Sequence, residues 1–178
     1  MSDLDNMYQQ IILDGARERY GEGTLEDYDG ESFQVNSTCG DEIDLRVKLS
    51  DDGTTLKDIK WHGQGCSISQ ASISIMTQMV EGKSIAEVKD LYESFRTMMD
   101  GRGHEVDEET EEKLEDAAAF AGVSKFPMRI KCALLGWMAL IGAADSAVSG
   151  APSDKSGSAA LADSTNLLVN RPSPGAKE

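Results

Sequence analysis

The sequence predicts an α+β domain in which a three-stranded antiparallel sheet carries helices packed on one face and a metal site at its edge. Three observations lead there. Residues 42–49 alternate strictly, with Ile43, Leu45, Val47 and Leu49 on one side and Glu42, Asp44, Arg46 and Lys48 on the other, the pattern of a strand with one dry and one wet face. Asp51-Asp52-Gly53 follows with the residues of a hairpin turn. From Ser67 the apolar spacing changes from two residues to three and four, the period of a helix.

The elements follow in order. Leu4, Met7, Tyr8, Ile11 and Ile12 have helical spacing, and that helix is expected to fade at Asp14-Gly15 before a Tyr20-Gly21-Glu22-Gly23 loop. Phe33 and Val35 alternate with polar neighbours in a first strand, which ends at the turn-forming run Asn36-Ser37-Thr38-Cys39-Gly40-Asp41. The strict alternation of residues 42–49 is the second strand. Leu56, Ile59 and Trp61 make a third, whose change of parity between Leu56 and Ile59 signals a bulge or a late start.

Four helices complete the domain. Ile68, Ala71, Ile75, Met76 and Met79 form a stripe behind a Ser67/Gln70 capping box, and Gly82 closes it. Ser84 with Glu87 opens a second helix with Ile85, Val88, Leu91, Phe95 and Met98 spaced for burial. An acidic run from Glu105 to Glu112 leads into a third, carrying Leu114, Ala117, Ala118 and Ala121. Pro127 suits the first turn of the last, where Ile130, Ala133, Leu134, Trp137 and Ile141 face the core. After about Asp145 the composition turns to Ser, Gly, Ala and Pro, so residues 1–144 read as the domain and 145–178 as a flexible tail with one apolar cluster, Leu167-Leu168-Val169.

Composition narrows the function. With 17 Lys and Arg against 32 Asp and Glu, the formal charge is −15, which argues against binding a phosphate backbone and steers basic partners towards the chain. No apolar run approaches the roughly 20 residues of a membrane span, and the acidic N-terminus lacks a signal-peptide pattern. Three cysteines are too few and too odd in number for a secreted disulfide scaffold, and they point to a reducing, cytoplasmic setting.

Those cysteines are the candidate chemistry. His62-Gly63-Gln64-Gly65-Cys66-Ser67 ends a strand, turns on two glycines and sets Cys66 at the start of a helix, where the helix dipole favours a thiolate or a ligand. Cys39 lies in the first turn and Cys132 in the early turns of the last helix. With Asp41 they make a possible four-ligand set for zinc or iron–sulfur chemistry; the competing reading is three small buried hydrophobes. Arg129 and Lys131 flank Cys132 and are either compensating cations or solvated ones. His62 and His104 read as surface imidazoles, and Trp61 and Trp137 as core anchors. The chain lacks a dinucleotide fingerprint, a Walker lysine, a calcium loop and a base for a serine nucleophile.

Together, Met7-Tyr8-Gln9-Gln10-Ile11-Ile12-Leu13-Asp14, Asn36-Ser37-Thr38-Cys39-Gly40-Asp41, Gly63-Gln64-Gly65-Cys66-Ser67-Ile68-Ser69-Gln70-Ala71-Ser72 and Arg129-Ile130-Lys131-Cys132-Ala133-Leu134-Leu135-Gly136-Trp137 resemble the U-type iron–sulfur cluster assembly proteins, the family of IscU and of the NifU N-terminal domain. Lys131 before the last cysteine, where IscU-type scaffolds have His, and the long stretch before Cys132 resemble its SufU branch. The resemblance implies zinc held by Cys39, Asp41, Cys66 and Cys132, and sulfur received from a SufS-type cysteine desulfurase. It also implies that a desulfurase histidine displaces the Cys39 thiolate, which attacks the persulfide, and that a SUF scaffold or apo iron–sulfur proteins lie downstream. The alternative is a scaffold that assembles a transient [2Fe–2S] cluster on the same ligands. Two departures are Gly15, where the family has His with Pro a few residues on, and Ser37, commonly Pro.

Overall fold

A computed structural model describes residues 2–150 of the chain. The tail beyond Gly150, with Leu167-Leu168-Val169, lies outside the described residues. The order is α1 (Asp3–Glu18), β1 (Gly30–Asn36), β2 (Asp41–Leu49), β3 (Leu56–Gln64), α2 (Ser67–Val80), α3 (Ile85–Asp100), α4 (Glu108–Leu114), a 3-10 segment (Glu115–Lys125) and α5 (Pro127–Ser149). The three strands form one antiparallel sheet in the order β1-β2-β3. Ile43, Leu45 and Val47 are fully buried on its inner face, opposite Trp61 and Ile59. The pairing slips between Lys48 and Leu49, so the parity change in β3 is a bulge.

The long helix α5 lies across β1 and β2, α2 packs beside it, and α1 packs on α2. By length and composition α5 could cross a membrane, which corrects the absence of such a run expected above. Its apolar residues from Cys132 to Ala144 are spent inside the domain instead, where Trp137 stacks on Phe95 at 5.0 Å. It also runs to Ser149, past the boundary read at 144, with Ala147 against the core.

Five local readings change. α1 does not fade at Gly15 but continues to Glu18. Gly15 is buried where a Cβ would stand 3.1 Å from Ile75 Cδ1 and 3.4 Å from the Ala71 carbonyl, and this close packing on α2 outweighs the ~1 kcal/mol helix cost of glycine. The stripe on α1 is narrower than its spacing suggests: Ile11 and Ile12 reach the core, while Leu4 and Met7 are about half exposed.

On β1 the side chains under α5 are Gln34 and Asn36, while Phe33 and Val35 are half-buried on the outer face. The helix sits too close for bulk there, since a Cβ on Gly30 would fall 2.0 Å from the Ala143 carbonyl. The third predicted helix splits into α4 and the 3-10 segment at Glu115, whose φ of +49° ends α4. No Ser67/Gln70 box forms, because Cys66 itself is the N-cap of α2 and Ser69 Oγ donates back to its carbonyl.

The outer face of the sheet carries a charged cluster. Glu31 and Asp44 lie on it with Arg46, whose guanidinium is 3.5 Å from Glu31 and over the Tyr28 ring at 4.4 Å. Burial, then the Glu31 charge, holds the Asp44 carboxyl above the usual aspartate range. The native state therefore binds more protons than the unfolded chain between the two Asp44 pKa values, and stability falls as pH rises through that window. Asp44→Asn should raise the melting temperature at neutral pH, and the gain should vanish below about pH 4, where both states are protonated; thermal melts across pH check this. Gly30→Ala, which forces α5 off β1, should cost on the order of 1–3 kcal/mol in chemical denaturation.

Candidate metal centre

Three chain segments bring the candidate donors together at the β1–β2 end of the sheet. The first is the turn between β1 and β2. Asn36 organises it: its carbonyl accepts from the Cys39 and Gly40 N–H groups and its side-chain oxygen from Thr38 N–H. Gly40 takes φ +72° with open space around it. Cys39 is thus half-buried on a tight turn, and Ser37, one of the two departures, is exposed beside it.

The second segment is the β3–α2 connection. Asp41 opens β2 and is fully buried. Its Oδ1 accepts from Cys66 N–H at 2.7 Å, a carboxylate at the positive end of α2. Two glycines allow this approach: a Cβ on Gly63 would lie 2.0 Å from the Glu42 carbonyl, and one on Gly65 would lie 2.3 Å from Asp41 Oδ1. Cys66 Sγ stands 3.8 Å from Asp41 Oδ2 and 3.9 Å from Ser69 Oγ.

The third is the start of α5, where Cys132 is fully buried. Its Sγ is 3.5 Å from Cys39 Sγ and 3.7 Å from Asn36 Nδ2. Burial pushes the Cys132 thiol up, and hydrogen bonds with Asp41, Cys39 and Cys66 push it further. Arg129 and Lys131 are exposed, and among the described residues neither makes an ion pair with the cluster. His62 is largely exposed on the outer face, 3.8 Å from Asp44, and His104 is exposed.

Cys39, Asp41 and Cys132 each present a donor atom within 4.8 Å of the other two, and Cys66 joins them through Asp41. All three cysteines are free thiols. Four donors about 2.3 Å from one centre stand roughly 3.8 Å apart at tetrahedral angles. The observed 3.5 Å sulfur–sulfur and 3.8 Å sulfur–oxygen separations fit that spacing, and three soft thiols with one carboxylate suit zinc or iron. A divalent cation would also relieve the protonation that burial imposes on Cys132.

Two contributors escaped the sequence reading. Asn36 was read only as a turn former, although its amide also faces Cys132. Arg19, the αL C-cap of α1 (φ 47°), lies past the expected fading of the helix at Asp14-Gly15 and just before the loop that begins at Tyr20. Its guanidinium pairs with Glu22, donates to Gln70 Oε1 and to the Gly63 carbonyl, and stacks over Trp61. No local motif marks such a contact, because its partners are 44 and 51 residues away.

Residues 7–133 match the family model of the NifU-like N terminal domain. The chain is 44% identical over 142 residues to the zinc-dependent sulfurtransferase SufU of Bacillus subtilis, covering 78% of this chain and 90% of that protein. It is 40% identical over 141 residues to the iron-sulfur cluster assembly scaffold protein IscU of Streptococcus pyogenes, covering 79% and 84%. Among solved structures, the SUF-system scaffold protein FiSufU of Fervidobacterium islandicum superposes with a TM-score of 0.68 at 32% identity, over 76% of this chain and 94% of that one. The N-terminal NifU-like protein of Brucella abortus, at TM-score 0.71 and 23% identity over 84% and 100%, shares the fold. With its donor cluster at the sheet edge, the chain belongs to the NifU-like N-terminal domain family of iron–sulfur cluster assembly proteins, alongside SufU and IscU.

Proposed function

We propose that the chain is a zinc-dependent sulfurtransferase that accepts sulfur on Cys39 from the persulfide of a SufS-type cysteine desulfurase. A SUF scaffold or apo iron–sulfur proteins in the cytoplasm would receive it. The observation that carries this reading is the unequal anchoring of the donors. Asp41 is buried at a strand start, Cys132 is buried within a helix and Cys66 is fixed by its N–H to Asp41. Cys39 sits half-buried on a turn whose Thr38, Cys39 and Gly40 N–H groups donate back to Asn36, followed by a glycine with open space. It can swing out while the other three stay in place.

Cys39, Asp41, Cys66 and Cys132 would hold the metal. Bound zinc would keep the thiols deprotonated at neutral pH. The Cys39 thiolate attacks the outer sulfur of the donor persulfide; a new sulfur–sulfur bond forms on Cys39, the donor's own sulfur–sulfur bond breaks, and the donor cysteine leaves as thiolate. No net oxidant is needed. Exposed Phe126 and Met128, beside Arg129 and Lys131 and one turn from Cys132, offer the partner an apolar and cationic rim next to the cluster.

A second reading, assembly of a transient [2Fe–2S] cluster on the same donors, is favoured by the likeness to IscU-named scaffolds and by a donor set that suits iron equally. Retention of iron and sulfide after anaerobic reconstitution, with transfer to an apo-protein, would select it.

Two outcomes test the sulfurtransferase. Zinc-loaded parent should stimulate turnover of the desulfurase saturably with iron excluded, and Cys39→Ser should not, while melting within a few degrees of the parent; no stimulation by the parent would sink the reading. Zinc at about 100 times its Kd should stabilise the parent by ~2.7 kcal/mol, and Cys132→Ser should lose most of that gain. Equal melting of chelated and zinc-supplied parent would dismiss the metal.

A further inference from the structure

We propose that Arg19 is a positioning residue for Cys66: its guanidinium clamps the β3–α2 turn from both sides, so that Cys66 reaches the donors its own turn would otherwise leave behind. The inference deepens the metal-centre reading and rests on it, though not on sulfur transfer.

Of the four donors, Cys66 is the one outside the mutual 4.8 Å grouping. Its side chain makes no capping bond to α2; it contacts Asp41 and the Ser69 hydroxyl and faces Cys132. The Cys66 backbone is anchored on Asp41 through its N–H, and the direction in which its side chain points depends in addition on the angle between the end of β3 and the axis of α2. Arg19 touches both of those elements. One nitrogen donates to the Gly63 carbonyl at 3.1 Å, three residues before Cys66, and another donates to Gln70 Oε1, four residues after it.

Gln70 is itself tied to the turn, because its N–H donates to the Cys66 carbonyl at 3.1 Å in the first bond of the helix. It is 4% exposed, so its side-chain oxygen has little access to water, and the amide nitrogen on the same group has no hydrogen-bond partner. Removing Arg19 would leave a second buried polar atom unpaired.

The clamp is separable from the docking of its own segment. Residues 20–23 are stitched to β3 by their backbone: Trp61 Nε1 donates to the Tyr20 carbonyl at 2.8 Å, Trp61 N–H to the Gly21 carbonyl, and Gly23 N–H to the Trp61 carbonyl. Gly15 packs α1 onto α2 independently. The loop therefore stays in place without the guanidinium, and what is lost is the restraint on the turn. The planar guanidinium presents separate nitrogens to the two acceptors in a fixed geometry, whereas a lysine ammonium is a single nitrogen on a flexible stem and does not hold the two elements at a set spacing.

The test reads Cys66 directly. Metal-free protein is pulsed with iodoacetamide, and the alkylation rate of each cysteine is taken from its peptide by mass spectrometry. Cobalt(II), a spectroscopic stand-in for zinc, is then titrated into the same variants. Arg19→Ala should speed alkylation of Cys66 several-fold with Cys39 unchanged. It should weaken cobalt binding by about tenfold, the lower range for partners of metal ligands, and remove one thiolate's share of the sulfur-to-cobalt charge-transfer absorption.

Arg19→Lys should behave like the alanine variant, and Glu22→Gln, which keeps both limbs of the clamp, like the parent. Gln70→Met cuts one limb from the far side and should move Cys66 in the same direction, which covers the case of an Arg19→Ala chain that does not fold. Parent-like Cys66 rates and cobalt spectra in folded Arg19→Ala, or in Gln70→Met, overturn the proposal. So does full rescue by lysine, which would make Arg19 a charge and not a clamp. If cobalt fails to bind the parent, the metal-centre reading falls, whereas the alkylation pattern still reports on the clamp.

Discussion

The bond from Cys66 N–H to the buried Asp41 carboxylate is the constraint on which the site depends. It joins the first residue of β2 to the N-terminus of α2, two points 25 residues apart in the chain. The carboxylate is fully desolvated, and a buried charge needs compensating partners. The α2 terminus provides an N–H and the positive end of a dipole. The approach requires that residues 63 and 65 have no side chain, since a Cβ at either would collide with β2 or with the carboxylate itself. Asp41 thus does two things at once: one oxygen orders the turn that carries Cys66, and the other faces the Cys66 sulfur as a prospective ligand.

Sheet and helix packing deliver the remaining donors to that carboxylate. β1 ends beside Asp41, with Asn36 as its register partner, so the turn that follows can place Cys39 only at this edge. α5 arrives from the opposite direction, held on β1 at Gly30 and on α2 where Gly136 meets Ile73. The near-contact of α5 with these elements has no room for lateral adjustment, because interiors are close-packed. A fully buried Cys132 is the result, its sulfur against Cys39 and the Asn36 amide.

How much of this was legible follows from how local each signal is. The alternation of Ile43, Leu45, Val47 and Leu49 reports its own burial, and all four are in the core. Cysteines at a turn, a glycine-flanked helix start and a helix head could be nominated as one set because each local context was unusual. The errors fell where a neighbour overrides a local preference. Glycine at position 15 reads as a helix end until Ile75 is seen against it. Gln34 and Asn36 read as the wet side of β1 until α5 is laid over them. Ser67 with Gln70 reads as a capping box, yet the Gln70 side chain is engaged by Arg19. That last contact was invisible for the same reason: a guanidinium reaching across two elements leaves no periodicity in the sequence.

The same geometry argues for a division of labour among the donors. A protein that only stored a metal would gain from anchoring all four ligands equally, since each fixed ligand lowers the ordering cost of binding. Here Asp41 and Cys132 sit in regular elements and Cys66 is bonded to Asp41, whereas Cys39 is on a turn whose Thr38, Cys39 and Gly40 N–H groups donate back to Asn36. Such a turn can swing by giving up the contacts of Cys39 and of the Asn36 amide with Cys132. A sulfur carrier needs this asymmetry: the nucleophile must reach a partner's persulfide, while the remaining donors keep their arrangement for its return.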